Sequence, residues 1–341
     1  MNTENFINNV NSFKINNVEF CLKKNIKLYC QNRRKSLWEI EEYNEELKYN
    51  EPITFIILCS PFFHHTIGHF VFDGFIYLQY FNQIKEKLKQ HGIKNIKVHL
   101  HKNPPREFKK LFINLFEISE KEILYSDIPG SFWKDNYEYN DSLPINNICI
   151  VPENFSCHDK IKNTVESERF KSIIFDYKLF INNKIKILNK EKKKIDVLVF
   201  LRNDKSKEVE PNNNRSIDYT HLLKYLKKKH RQVTLYNPIN ETKNYLDQIK
   251  LIKSCNYLVV EYGASLWLNG LFAKNLIVIA LGKKQIHNEL NSKAGPHLNN
   301  IYKCIEKNSN IFFLTTTHNY KRIGYNIFSE LDTFFYKNDK I

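Results

Sequence analysis

Glycine, proline, methionine and tryptophan are all scarce in this chain, at 9, 10, 1 and 3 residues of 341. Arginine is scarce beside lysine, while lysine, asparagine, isoleucine, tyrosine and phenylalanine are plentiful. That joint pattern is one of AT-rich coding, in which lysine accumulates with no partner in view. The net charge of +15, from 52 Lys+Arg against 37 Asp+Glu, therefore does not by itself imply nucleic acid. No CxxC pair occurs, and the seven cysteines (Cys21, Cys30, Cys59, Cys149, Cys157, Cys255, Cys304) are odd in number and widely spaced. That arrangement argues against a zinc cluster or a disulfide framework. It suits reduced thiols acting as small hydrophobes in a reducing compartment. No run reaches the roughly 18 apolar residues of a membrane span. The opening MNTENFINNVNSFKINN has no apolar core, which predicts no signal peptide. The expectation is a cytoplasmic protein of a bacterium, a protist or a large virus.

What is present is a foldable chain. Hydrophobic residues make up 42% and aromatics 14%, enough to exclude a disordered or fibrous protein. At about 150 residues per domain the length implies two domains. The lysine-rich stretch from Lys160 to Lys194 reads as a helix plus a solvated connection between them. The reading is an α/β domain over 1–180, a second over 190–320, and a C-terminal helix in 321–341 that packs back on the first domain.

In the first half, Val18–Leu22, Ile26–Tyr29, Ile53–Cys59, Ile96–Leu100 and Ile148–Val151 read as strands. Ser36–Lys48 reads as a charged helix, about Gly68 to Gln90 as a long helix, and Arg106–Phe116 as another. The second half alternates regularly. Strands are expected at Asp196–Leu201, Gln232–Tyr236, Tyr257–Glu261, Leu276–Leu281 and Ile311–Thr315. Helices are expected at His221–His230, Thr242–Lys253, Ala264–Ala273 and Tyr325–Tyr336. Alternation of this kind predicts a parallel sheet covered by helices on both faces.

In such sheets ligands bind at the carboxyl ends of strands. Five of the nine glycines fall near two such ends: Gly68 and Gly74, then Gly263, Gly270 and Gly282. After Tyr257–Glu261 the chain reads Tyr262-Gly263-Ala264, where small residues admit a ligand to the backbone and a helix begins at once. A diphosphate and a plain tight turn both fit that pattern. In the first half, His69 and Asp73 lie four apart on the expected helix, either as a general-base pair or as a local electrostatic pair at a helix start. His65 and His69 have the spacing of HExxH, but Thr66 stands in place of the Glu and no third ligand is evident, so no metal site is expected. Arg202, at a strand end, and Arg215 could grip phosphate oxygens or pair on the surface. Lys283, Lys284 and His287 follow another strand and could add charge or form a solvated loop.

Three windows resemble the motifs of glycosyltransferase family 61. Gly68-His69-Phe-Val-Phe-Asp73-Gly74 resembles its N-terminal GHxxxD motif. Phe200-Leu-Arg202 with Asn214-Arg215 resembles its strand-ending Arg and downstream Arg. Val259-Val-Glu261-Tyr262-Gly263-Ala264-Ser-Leu-Trp-Leu-Asn269-Gly-Leu-Phe272 resembles its (H)GAxxxN signature, with Tyr262 where many members have His. The windows occur in the family's order and cover roughly residues 53–285. The resemblance implies a GT-B architecture, two Rossmann-like domains facing across a cleft. It also implies sugar transfer with inversion from a UDP-sugar to a glycan or glycoprotein hydroxyl, with no bound cofactor or divalent metal. Relatives include the EGF-domain and dystroglycan-directed N-acetylglucosaminyltransferases and plant xylosyl- and arabinosyltransferases. Asp73 or His69 would be the base. Arg202, Arg215, Lys283, Tyr262, Gly263 and Ala264 would bind the donor, with Glu261 on its ribose. Two rival readings stay open: a nucleic-acid binder, from the charge, and a non-catalytic glycan-binding member, from Tyr262.

Overall fold

The computed structural model describes residues 3–24, 26–30, 38–42, 45–58, 75–101, 114–126, 139–142, 146–153, 164–187, 195–201, 217–237, 244–280, 296–316 and 328–340. The chain forms two compact units, Met1–Ile173 and Ile174–Ile341. The division falls inside a single helix, earlier than the 180–190 boundary read from composition.

The first unit opens with helix α1 (Thr3–Asn9), then strands β1 (Ser12–Ile15), β2 (Val18–Lys24), β3 (Ile26–Cys30), β4 (Trp38–Glu42) and β5 (Thr54–Leu58). A 3-10 segment at Phe75–Tyr80 runs into α2 (Phe81–Lys89), followed by β6 (Ile96–His101), β7 (Ile123–Ser126), β8 (Tyr139–Ser142) and β9 (Asn147–Pro152). Six of these strands form one sheet in the order β1-β2-β9-β5-β6-β7. β9, β5, β6 and β7 are parallel, and the β1–β2 hairpin adds an antiparallel edge.

Local chemistry explains the pattern. The hairpin turns through two residues, with Asn16 at φ 52, a conformation asparagine tolerates. β2 alternates, burying Val18, Phe20 and Leu22. Phe55 to Leu58 in β5 and all of β9 are buried, as interior parallel strands require. A separate antiparallel sheet runs β4-β3-β8. β4 corrects the expected helix at Ser36–Lys48: glutamates favour helices, but Trp38-Glu-Ile-Glu has period two. Its register sets Trp38 opposite Cys30 and Ile40 opposite Leu28. Helix α3 (Thr164–Ile187) buries Phe170, Ile173, Ile174, Tyr177, Ile181 and Ile185, one stripe of helical period.

The second unit alternates strictly: β10 (Ile195–Phe200), α4 (Thr220–Lys228), β11 (Val233–Tyr236), α5 (Tyr245–Lys253), β12 (Cys255–Glu261), α6 (Ala264–Asn269) with a 3-10 turn at Gly270–Phe272, β13 (Asn275–Ala280), α7 (Pro296–Glu306), β14 (Asn310–Thr315) and α8 (Phe328–Asp339). All five strands are parallel, in the order β11-β10-β12-β13-β14. Counted along the chain this is 2-1-3-4-5, a doubly wound sheet.

Val197, Val199, Tyr257, Val259, Ile277 and Ile279 point to one face, where Leu222 and Leu226 of α4 and Phe328, Leu331 and Phe335 of α8 cover them. On the other side, α5 and α6 are joined by Tyr245, whose hydroxyl donates to the Leu268 carbonyl at 2.9 Å.

Helix α8 differs from the expectation that residues 321–341 return to the first domain. Its apolar face lies on the second unit's own sheet, and polar contacts hold it there. Tyr225 stacks on Phe328 at 4.3 Å, and its hydroxyl donates to Asp332. The Arg231 guanidinium lies 4.3 Å from the Phe335 ring, pairs with Asp339, and reaches Asp196 at 3.3 Å. Of the cysteines whose side chains are described, Cys149 and Cys255 are buried and Cys21 and Cys304 half-buried. Among the described residues no helix is long and apolar enough to cross a membrane.

Candidate functional site

In a doubly wound sheet the crevice for a ligand opens where the chain reverses its direction of travel across the strands. Each unit has one such point. In the first, the chain steps from β5 to β6 to β7 and then returns to β9 on the far side of β5. β5 ends at Leu58, and the window with His64, His65, His69 and Asp73 follows along the chain. These four residues lie outside the described residues.

The neighbouring strand end carries a residue the sequence reading passed over. His99, in β6, registers opposite Leu58 of β5 and Leu124 of β7 and is 1% exposed. Burial pushes its imidazole down to about 4, so it is neutral near pH 7. Its signal in the sequence was weak: one histidine in the alternating Val-His-Leu-His run of a strand.

In the second unit the reversal point lies between β10 and β12, which pair with Val199 opposite Val259. β10 runs out at Phe200, and the Leu201 N–H donates to the Tyr236 carbonyl at 2.8 Å. Arg202 and Arg215 come next along the chain and lie outside the described residues, as do Lys283, Lys284 and His287.

The β12 end is fully described. Glu261 is its last residue and is 8% exposed. The Tyr219 hydroxyl, just before α4, lies 2.6 Å from Glu261 Oε1 and 3.4 Å from the Phe200 carbonyl oxygen. A phenol has one proton to give, and the carboxylate at 2.6 Å takes it. Asp218 Oδ1 accepts from Thr220 N–H at 2.9 Å, which shapes the turn that delivers Tyr219.

Tyr262 points the other way. Its ring meets Trp267 edge to face at 5.3 Å, its hydroxyl oxygen is buried, and its N–H donates to the Ile279 carbonyl at 2.8 Å. Gly263 then takes φ 128 and ψ −148, a conformation only glycine adopts readily. Nothing described stands within 4 Å of where a Cβ would sit, so backbone angle, not crowding, demands glycine there. Its carbonyl accepts from Trp267 N–H at 3.1 Å, and α6 begins at Ala264 with no side-chain cap.

The rest of the (H)GAxxxN window has structural work. Asn269 is 2% exposed, accepts from Gln248 Nε2 at 2.6 Å and donates to the Ser265 carbonyl at 2.8 Å. Gly270 lets α7 approach, since a Cβ there would lie 3.1 Å from Ile305 Cδ1.

Of the expected site residues, Glu261, Tyr262, Gly263 and Ala264 are those described, and they follow one another at the end of β12, Glu261 meeting Tyr219 and Tyr262 meeting Trp267. Tyr219 was missed because nothing in the sequence separates it from the other tyrosines. Among the described residues no group of three or more His, Cys, Asp or Glu is placed to hold a metal ion. A scan against protein-family models gives no match for this chain, and a search of curated proteins gives none. The resemblance to glycosyltransferase family 61 thus rests on the three sequence windows.

Proposed function

We propose that the chain is an inverting, metal-independent glycosyltransferase of GT-B type, moving a sugar from a UDP-sugar to a hydroxyl of a glycan or glycoprotein. In that reading its two α/β units face each other across a cleft. The observation that supports it best is topological. In both units the family-like windows follow strands that border the point where strand order reverses. Three weak motifs thereby acquire one shared physical context, the edge at which doubly wound sheets hold ligands.

The roles follow from charge. Transfer with inversion needs a base on the acceptor hydroxyl, worth ~10²–10⁴-fold in rate. Asp73, with His69 as partner, takes that role from the first unit, and the reverse assignment is the close alternative. The departing UDP needs positive charge and fixed dipoles. Arg202, Arg215 and Lys283 supply the charge, and the backbone at Gly263 and Ala264 gives close approach. A carboxylate repels phosphate, so the place of Glu261 is on the ribose hydroxyls, which it can accept as hydrogen bonds. Tyr262, turned toward Trp267, contributes through its backbone and by holding the turn.

The test is UDP release from a panel of UDP-sugars with EDTA present. Release with at least one donor is expected. No release with any donor, together with no thermal shift by UDP, would sink the reading. The inward Tyr262 ring favours, as second reading, a glycan-binding member without turnover. Asp73→Asn separates the two: turnover lost while UDP binding is kept supports catalysis.

A further inference from the structure

We propose that Tyr219 is a positioning residue for this edge: from the start of α4 its hydroxyl donates to the buried Glu261 carboxylate and fixes it at the end of β12. The ligand class rests on the glycosyltransferase reading; the positioning role rests on geometry alone.

Three observations converge on it. First, β10 and β12 are neighbours at the reversal point, and Leu201 and Glu261 each stand two residues beyond the Val199–Val259 pair. The segments that leave the two strands therefore start side by side, where the pairing between β10 and β12 ends. Second, Tyr219 reaches both strands from the start of α4, with 2.6 Å to the carboxylate of one and 3.4 Å to the last carbonyl of the other. A hydrogen bond to a carboxylate is the stronger kind, and burial strengthens it further. Third, the Tyr219 ring packs against the apolar face covered by α4 and α8, so the hydroxyl is delivered from a fixed base. A carboxylate meant to accept ribose hydroxyls must be aimed before the ligand arrives, and a short bond from a packed phenol does this.

Tyr219→Phe removes the hydroxyl and keeps the ring, so the fold survives the test. Infrared difference spectra of wild type against Glu261→Gln isolate the Glu261 carboxylate band. The same difference taken in a Tyr219→Phe background should show that band displaced. Amide hydrogen exchange should speed up about tenfold over 259–264, the equivalent of losing one ordinary hydrogen bond. Exchange in β13 and β14 should not change. An unmoved band overturns the proposal. So does unchanged exchange at the end of β12, or acceleration spread evenly over the sheet, which would make Tyr219 a core residue only.

A third arm titrates UDP. Tyr219→Phe should weaken it about tenfold; equal affinity in variant and wild type overturns the claim that the positioning serves a ligand. A wild type that binds no UDP overturns the glycosyltransferase reading instead, and the infrared and exchange results still decide the role of Tyr219.

Discussion

Gly263 stands at φ 128 with open space around its missing side chain. Any L-residue there carries backbone strain of about 1–3 kcal/mol. Gly263→Ala should therefore lower unfolding free energy by about that amount in urea titrations, although it clashes with nothing described. Gly270→Ala should also destabilise, for the opposite reason: its backbone is ordinary helix, and the added methyl presses on Ile305 and Leu266. His99 sets a second residue-scale expectation. Its folded value of about 4 lies below the 6.5 of an unfolded histidine. Between those values the unfolded chain binds a proton that the folded chain refuses. Stability should accordingly fall as pH drops from 6.5 toward 4, by roughly 3 kcal/mol in all. His99→Gln removes the titration, so denaturation midpoints at pH 7 and pH 4.5 should lie closer together in the variant than in wild type.

Among the elements, helix α8 is held by charge as well as by packing. Arg231 lies over Phe335 and Tyr257 while pairing with Asp339 and Asp196. Asp332 is lowered by its bonds from Lys229 and Tyr225, and Asp339 by those from Arg231 and Tyr257, each against the opposing effect of partial burial. Their stabilisation is present above the usual carboxylate value of 3.8 and is lost as pH falls through the lowered ones, a window below that of His99. Arg231→Met, which keeps apolar cover, should cost about 1 kcal/mol by thermal or chemical denaturation, because it removes the guanidinium's pairs with Asp196 and Asp339.

At this scale the sequence was most legible where strands are buried on both sides. β5, β9, β10, β12 and β13 are continuous apolar runs closed by polar or small residues, and each was expected within two residues of its observed bounds. It was least legible where tertiary pairing decides. β4 is glutamate-rich and becomes a strand through its partner β3, while α1, β1, β7 and β8 are short or polar and carry little period of their own. The site divides the same way. The Gly263 turn was readable from Gly-Ala after an apolar strand, whereas Tyr219 acquires its role only when α4 packs beside β12, a long-range fact with no local trace.

At the scale of the whole molecule, the chain divides into two units, each built on a parallel-rich sheet. The charge of +15 fits binding of an anionic donor as readily as of nucleic acid. Salt separates the two: duplex DNA affinity should be weak and without the steep salt slope that many phosphate contacts produce. The most direct measurement is a crystal structure of the chain with UDP bound. The account predicts the diphosphate beside the Gly263 backbone at the ends of β10 and β12, touched by Arg202 and Arg215, with the ribose toward Glu261. UDP seated at the opposite edge of that sheet, or against the first unit alone, would contradict it.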